Sequence, residues 1–202
     1  MDLDAERALR LVDAVEHAPT REEARDRCAR AWDFLLAQYH LLRERANGYP
    51  RNPIDGATWM EGLRLAQVCD RFADVVRDQA NRAGEAQAAG LATAIACQVV
   101  GHYPEEIFPR VLRAAECHEA LGEASRALGE CAAIVADFRE LELESLLDER
   151  EPLEDQGRVV LASLLRAIDA IERLDPRRVD AEHAALRARA AARLESIRSD
   201  TA

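Results

Sequence analysis

Apolar side chains recur along this chain at steps of three and four residues, and charged residues fill the positions between them. This is the period of an amphipathic helix that turns one stripe towards a core. No stretch keeps a strict alternation of apolar and polar residues, so no strand is predicted. The pattern predicts an all-α protein of about eight helices. Their approximate bounds are 3–17, 20–46, 58–84, 85–100, 109–121, 123–147, 153–174 and 176–198.

Several helix ends carry recognisable signals. Thr20 is followed three residues later by Glu23, which is the spacing of a capping box at a helix start. Thr58 and Glu61 have the same spacing and predict the start of the third helix. Gly84 is the natural residue to end that helix. Ala and Gly crowd the fourth helix, Gly90 among them, so its backbone is predicted to approach a neighbouring helix closely.

The segment 102–138 predicts a helical hairpin. Tyr103 and Pro104 precede a helix for which Pro109 is a suitable first residue, because a proline at that position lacks only an N–H that would be unpaired anyway. Leu121 and Gly122 then form a tight turn before a second helix. A similar order, Tyr-Pro, helix, glycine, helix, begins at 49–50. Repetition of helix pairs is typical of α-solenoids.

The second of these units resembles a tetratricopeptide repeat. The positions that carry the resemblance are Val111, Ala114, Ala115, His118, Ala127 and Cys131, with Leu121-Gly122 at the turn and Tyr103-Pro104 before it. The first unit matches at Leu65, Ala66 and Cys69. The chain departs from the repeat where a Trp would stand at Val111 and where the closing Pro would stand at Arg139.

The resemblance covers about residues 49–138 and implies antiparallel hairpins stacked as a right-handed α-solenoid. We expect a single domain over 1–202, with an N-terminal helical pair at 1–46, repeat-like hairpins at 49–147 and a C-terminal pair at 152–198. In that geometry Leu112, Glu116 and Glu119 line a concave groove. Two carboxylates one helical turn apart could receive a peptide that carries Arg or Lys.

A second candidate binding element is the turn-rich connector at 48–56, which contains two glycines and two prolines. Its candidate residues are Tyr49 and Arg51, together with Trp59 just beyond it. Exposed loops frequently carry binding residues. The alternative is a plain helix–helix link whose Tyr49 packs on the core.

The amino-acid composition disfavours some classes of function. The chain carries 38 acidic residues against 27 basic ones, and every basic residue is Arg, a usage that indicates a GC-rich, bacterial source. A net charge of -11 repels phosphate backbones, which disfavours nucleic acid as a partner. No membrane segment or signal peptide is predicted, and five scattered cysteines are typical of free thiols in a reducing compartment, so a cytoplasmic protein is expected.

No chemistry-bearing motif of high specificity is present. The His and Cys spacings predict no metal site, and no phosphate-binding glycine loop or cofactor motif occurs. Arg113 with His118, and Arg178 with His183, resemble the Arg-x(4–6)-His motif of the HEPN-type ribonucleases, which are small helical bundles. The sequence therefore predicts a non-catalytic scaffold for a protein or peptide partner. An all-α ribonuclease using an Arg/His pair is the alternative, and a homo-oligomer is left open.

Overall fold

The computed structural model describes residues 2–46, 55–99, 103–148 and 152–200, with side chains up to 197. These residues form eight α-helices and two short 3-10 helices and contain no strand, which confirms the all-α prediction. The α-helices are α1 (Ala5–Glu16), α2 (Arg21–Ala46), α3 (Gly56–Asp78), α4 (Arg82–Val99), α5 (Pro104–Ala120), α6 (Ala124–Glu140), α7 (Asp155–Leu174) and α8 (Ala181–Asp200). The 3-10 helices are Leu143–Leu147 and Pro176–Arg178.

The chain divides into two compact units, 1–101 and 102–202. In the first unit α1 packs on α2 and α3, while α3 and α4 form the most extensive helix pair. In the second unit α5 and α6 form a hairpin, α7 packs against both of them, and α8 packs on α7. The solenoid stacking and the single domain over 1–202 stay predictions.

Three helices of the first unit pack closely around Gly62. A Cβ at this position would lie 2.6 Å from Val99 Cγ1 and 3.3 Å from Leu42 Cδ1, so hydrogen is the only side chain that fits between α2, α3 and α4 without a shift. The close packing predicted for the Ala- and Gly-rich fourth helix is present in the α3–α4 pair, but Gly90 takes no part in it. That residue is exposed on α4, and a Cβ there would meet nothing within 4 Å.

The helix starts were predicted with mixed success. The Thr20 hydroxyl accepts a hydrogen bond from the Glu23 N–H at 3.1 Å, as a capping box requires. The third helix instead starts at Asp55, whose carboxylate accepts from the N–H of Thr58 at 2.8 Å and from its hydroxyl at 2.7 Å. Asp55 is therefore the N-cap and satisfies the Thr58 N–H, so the predicted box at Thr58 was wrong. Similarly, Pro104 and not Pro109 occupies the first turn of α5.

The turns that follow α3 and α5 are closed by the same hydrogen-bond pattern. After α5 the N–H of Glu123 bonds to the carbonyl of His118 at 2.8 Å, around Gly122 with φ of 78°. After α3 the N–H of Asn81 bonds to the carbonyl of Val76 at 3.0 Å, around Ala80 with φ of 58°. Both are Schellman motifs, which need a left-handed residue. The prediction that Gly84 ends α3 was therefore wrong, because Gly84 lies within the first turn of α4.

The start of α1 is held by side chains from other helices. The Gln38 side-chain oxygen accepts from the N–H of Asp4 at 2.7 Å, and a Glu61 carboxylate oxygen accepts from the N–H of Ala5 at 2.7 Å. Gln38 is completely buried, and its Nε2 has no hydrogen-bond partner in the described part of the chain. The Glu61 carboxylate thus pairs with an N–H at the start of α1, 56 residues away, and not with one at the start of its own helix, α3.

The cysteines divide between core and surface. Cys69, Cys117 and Cys131 are buried, and all five cysteines are reduced. Cys28 is half-buried and Cys97 is exposed. The sixth helix was also predicted too long. It ends at Glu140, and the left-handed Glu142 leads into the 3-10 helix Leu143–Leu147.

Candidate functional site

Three helices of the second unit enclose a cleft of about 210 Å³. Its lining comes from α5, α6 and α7 and consists of Leu112, Ala115, Glu116, Cys131, Arg166, Asp169, Ala170 and Arg173. Two of the predicted binding residues, Leu112 and Glu116, are therefore in this lining. The third, Glu119, lies one turn further along α5 and bonds to the lining residue Arg173.

The floor of the cleft is apolar. Leu112, Ala115 and Cys131 are each less than 5% exposed. Burial raises the pKa of the Cys131 thiol from 9.0 to about 11. A thiol with this pKa is protonated at neutral pH, so Cys131 contributes an apolar surface and no nucleophile.

Ion pairs cross the cleft from α5 to α7. The Arg173 guanidinium donates to Glu119 through Nε at 3.0 Å and Nη2 at 2.6 Å, which is a two-pronged contact. These hydrogen bonds, above all, hold the pKa of Glu119 below its ordinary value of 4.5. Arg166 donates a single hydrogen bond to Glu116, and both of these side chains are more than half exposed. The two carboxylates that were predicted to await a partner are thus already paired within the unit.

A second row of charges lies between α7 and α8. The Arg187 guanidinium of α8 donates to Asp169 through Nε at 2.6 Å, and its Nη1 lies 3.8 Å from Glu172. Asp169 belongs to this second row and also lines the cleft. All of these side chains are about half exposed.

The predicted connector site lies mostly outside the described residues, since Tyr49 and Arg51 both fall there. Trp59 is half-buried in the first turn of α3, in the first unit. The connector hypothesis stays a prediction.

The His118 ring lies between two carboxylates. Its Nδ1 is 2.8 Å from Glu123 Oε2 and its Nε2 is 3.5 Å from Glu130 Oε1. The hydrogen bond with His118 lowers the pKa of Glu123, whereas burial raises the pKa of Glu130. Both nitrogens of the ring are therefore directed at carboxylates of the same unit. An acid–base role would require His118 to leave at least one of them.

The second Arg/His pair, Arg178 and His183, makes its contacts where two helices begin. His183 Nδ1 is 2.7 Å from Asp180 Oδ1, and the same oxygen accepts from the His183 N–H at 2.9 Å. Arg178 lies 3.4 Å from Asp175, at the beginning of the 3-10 helix. These contacts order the chain between α7 and α8.

The two histidines are associated with different parts of α6. His118 lies by Glu123, just before the helix begins, and by Glu130, near its middle, whereas Glu182, the neighbour of His183, lies 3.4 Å from Arg139 in its last turn. From Glu130 to Arg139 the helix rises by roughly 14 Å. Within one copy of the chain each histidine is thus held by carboxylates of a different segment.

Neither a metal cluster nor a membrane span was found where the structure describes the chain. Over these ranges no group of three or more His, Cys, Asp or Glu side chains is arranged to hold a metal ion. Over the same ranges no helix combines the length and the low polarity that a bilayer crossing requires.

Comparison with known proteins identifies no relative. No family model matches the chain, and neither the curated proteins nor the solved structures contain a significant match. Function must therefore be argued from the cleft itself.

The residues of α7 were missed by the sequence reasoning. Arg166, Asp169 and Arg173 follow one another at i, i+3 and i+7, which places all three on one face of a helix. This charged stripe lies beside the apolar stripe of α7 and could have been recognised in the sequence. The pairing of its Arg residues with the Glu residues of α5 could not, because Glu116 and Arg166 are 50 residues apart.

Proposed function

We propose that this protein is a helical scaffold that binds a protein or peptide partner in the cleft between α5 and α7. The observation that carries the proposal is the combination of a buried apolar floor with charged walls. Such a combination suits a docking helix or peptide, whose apolar side chain enters the cleft while its polar groups meet the rim.

The size of the cleft favours one anchoring side chain over a cofactor. Pockets for drug-sized ligands and cofactors occupy about 300–1,000 Å³. The cleft offers about 210 Å³. It is thus too small for a nucleotide-sized group and large enough for one aliphatic or aromatic side chain.

The charged walls can exchange their partners at small cost. Exposed ion pairs contribute about 0–1 kcal/mol, because water screens them and two long side chains must be ordered. Glu116 and Arg166 are 54% and 58% exposed, so the pair belongs to this class. A cation of the partner can therefore replace Arg166 beside Glu116. The Arg173–Glu119 pair is more enclosed and makes two hydrogen bonds, and it serves to fix the distance between α5 and α7.

The charge of the second unit favours a basic partner. Residues 102–202 carry 22 acidic side chains against 14 Arg. Such an excess raises the rate at which basic partners are captured, and salt weakens this effect.

A cleft-filling substitution tests the proposal. Ala170 lines the cleft and is half-buried, so Ala170→Leu fills the space without entering the core. Ala162 is exposed on the same helix outside the lining, and Ala162→Leu is the matched control. A peptide selected from a displayed random library on the full chain is titrated against all three proteins by fluorescence anisotropy.

We expect Ala170→Leu to weaken binding at least tenfold and Ala162→Leu to leave it unchanged. Equal affinities of the selected peptides for the two variants, or a library that yields no binder, would refute the α5–α7 cleft as the site.

A further inference from the structure

A second cleft of about 380 Å³ adjoins the first one. It lies between α7 and α8, and its lining consists of Leu165, Asp169, Glu172, Val179, Ala184, Arg187, Ala188 and Ala191. Five of these eight side chains are aliphatic, and Arg187 spans the rim through its contacts with Asp169 and Glu172. Like the first cleft, the second is thus lined largely by aliphatic side chains beneath exposed ion pairs. Its lining is more open, because Leu165, Val179 and Ala191 are half-buried and Ala184 and Ala188 are exposed.

Asp169 joins the two clefts, because it lines both of them. On α7 the first cleft is reached by Arg166, Ala170 and Arg173. The second is reached by Leu165 and Glu172. Successive residues of an α-helix are rotated by about 100° around its axis. These two sets of α7 residues therefore lie on adjacent faces of the helix. An α-helix with its side chains is about 10–12 Å across, so clefts on adjacent faces are roughly 8–10 Å apart.

This distance corresponds to about two turns of a bound helix. Residues seven apart lie on the same side of an α-helix and are separated by about 10.5 Å. Residues four apart are separated by only about 6 Å, which is too short to reach both floors. A helix that crosses α7 can therefore place one apolar side chain in each cleft only if they stand two turns apart.

The residue between the two anchors faces Asp169. The carboxylate of Asp169 is about half exposed and is bonded to Arg187, itself about half exposed. An incoming guanidinium or ammonium group can take the place of Arg187 at this carboxylate, as argued for Glu116. An acidic residue in the same position would instead meet Asp169 and Glu172, two carboxylates that share the single cation Arg187, within a unit of negative net charge.

We propose that the partner is an amphipathic helix that crosses α7 with apolar side chains at positions i and i+7 and a basic residue at i+3 or i+4. This inference rests on the proposed function and adds the spacing and the charge of the partner. The two floors take the apolar pair, and Asp169 receives the cation between them.

The test uses a displayed library of alanine-based helical peptides in which only positions i, i+3, i+4 and i+7 are randomised. The library is selected on the full-length chain, and the most enriched peptide is titrated by fluorescence anisotropy. Asp169→Asn removes the central charge, and the exposed Glu140 of α6, which lines neither cleft, supplies the control Glu140→Gln. Ala188→Leu fills the second cleft, with the exposed Ala185→Leu as its control.

We expect large apolar residues at i and i+7 with Arg or Lys between them. Asp169→Asn should weaken such a peptide at least fivefold, and Ala188→Leu at least tenfold, while both controls stay within twofold of the wild type. Peptides with a single anchor, sensitive to Ala170→Leu but not to Ala188→Leu, would overturn the two-cleft inference and leave the scaffold proposal standing. A selection without enrichment would overturn both.

Discussion

The close approach at Gly62 allows a stability prediction with a built-in reference. In Gly62→Ala the new Cβ would lie 2.6 Å from Val99 Cγ1, whereas carbon atoms in contact are about 3.5–4.0 Å apart. The two groups must therefore separate by about 1 Å. Overpacking of this kind costs about 1–3 kcal/mol. Alanine gains about 0.5–1 kcal/mol over glycine within a helix, which leaves a net destabilisation of about 1 kcal/mol.

Gly90→Ala provides the reference, because its Cβ meets nothing within 4 Å. Only the gain in helix propensity remains there, so this variant should be more stable by about 0.5–1 kcal/mol. The two variants have the same change of composition and lie in the same unit, but they should differ by about 2 kcal/mol in their free energy of unfolding.

Tryptophan fluorescence can follow the unfolding of the first unit separately from that of the second. Both tryptophans, Trp32 and Trp59, belong to the first unit, so fluorescence followed through a urea titration reports its unfolding alone. A third protein with Val99→Ala removes the contacted methyl group, and in that background Gly62→Ala should become stabilising.

Two results would contradict the reasoning. One is a Gly62→Ala variant as stable as Gly90→Ala. The other is a penalty for Gly62→Ala that persists unchanged when Val99 is alanine, since the clash would then not be its cause.

Other predictions follow from single residues. Ala80→Gly should stabilise the first unit by about 1 kcal/mol in the same urea titration, because Ala80 has a φ of 58° that glycine adopts without strain; no gain would show that the turn relaxes. Glu119→Gln should destabilise the second unit at pH 7, as the lowered pKa of Glu119 means that its contribution exists above its ordinary value of 4.5 and is lost on acidification. Glu130→Gln should do the opposite and stabilise at pH 7, with a gain that shrinks towards acid pH, because burial raises the pKa of Glu130 and its ionised form is disfavoured; circular dichroism melts between pH 3 and 7 compare both variants. Finally, His118→Ala with His183→Ala should leave the cleavage of a fluorescent RNA at the level of the wild type, whereas a loss of cleavage would favour the ribonuclease alternative.

Local signals predicted the helices well and their ends less well. The periodicity of apolar residues is sufficient for all eight helices, because each must bury one face. The cap at Thr20 was found because its partner Glu23 lies only three residues further along the chain. The cap at Thr58 failed because Asp55, three residues earlier, takes that role. Glu61, the predicted partner of Thr58, instead accepts from the N–H of Ala5, a long-range contact that no local motif contains.

In the candidate site, too, the local features were predicted and the long-range contacts were not. Glu116 and Glu119 follow from their spacing on one helix. Their Arg partners lie about 50 residues away on α7, and only the packing of α7 against α5 determines the pairing. The size of the cleft and its sharing of Asp169 with a second cleft likewise depend on how three helices meet.

The ion pairs between α5, α7 and α8 have a consequence for alkaline solutions. Every cation in them is a guanidinium group, which keeps its proton far above pH 10, where the ammonium group of a lysine begins to lose it. No lysine occurs in the chain, so raising the pH to 10.5 removes none of the positive charges in these ion pairs. These helices should remain docked in carbonate buffer at a pH where a lysine-paired counterpart would have lost half of its cations.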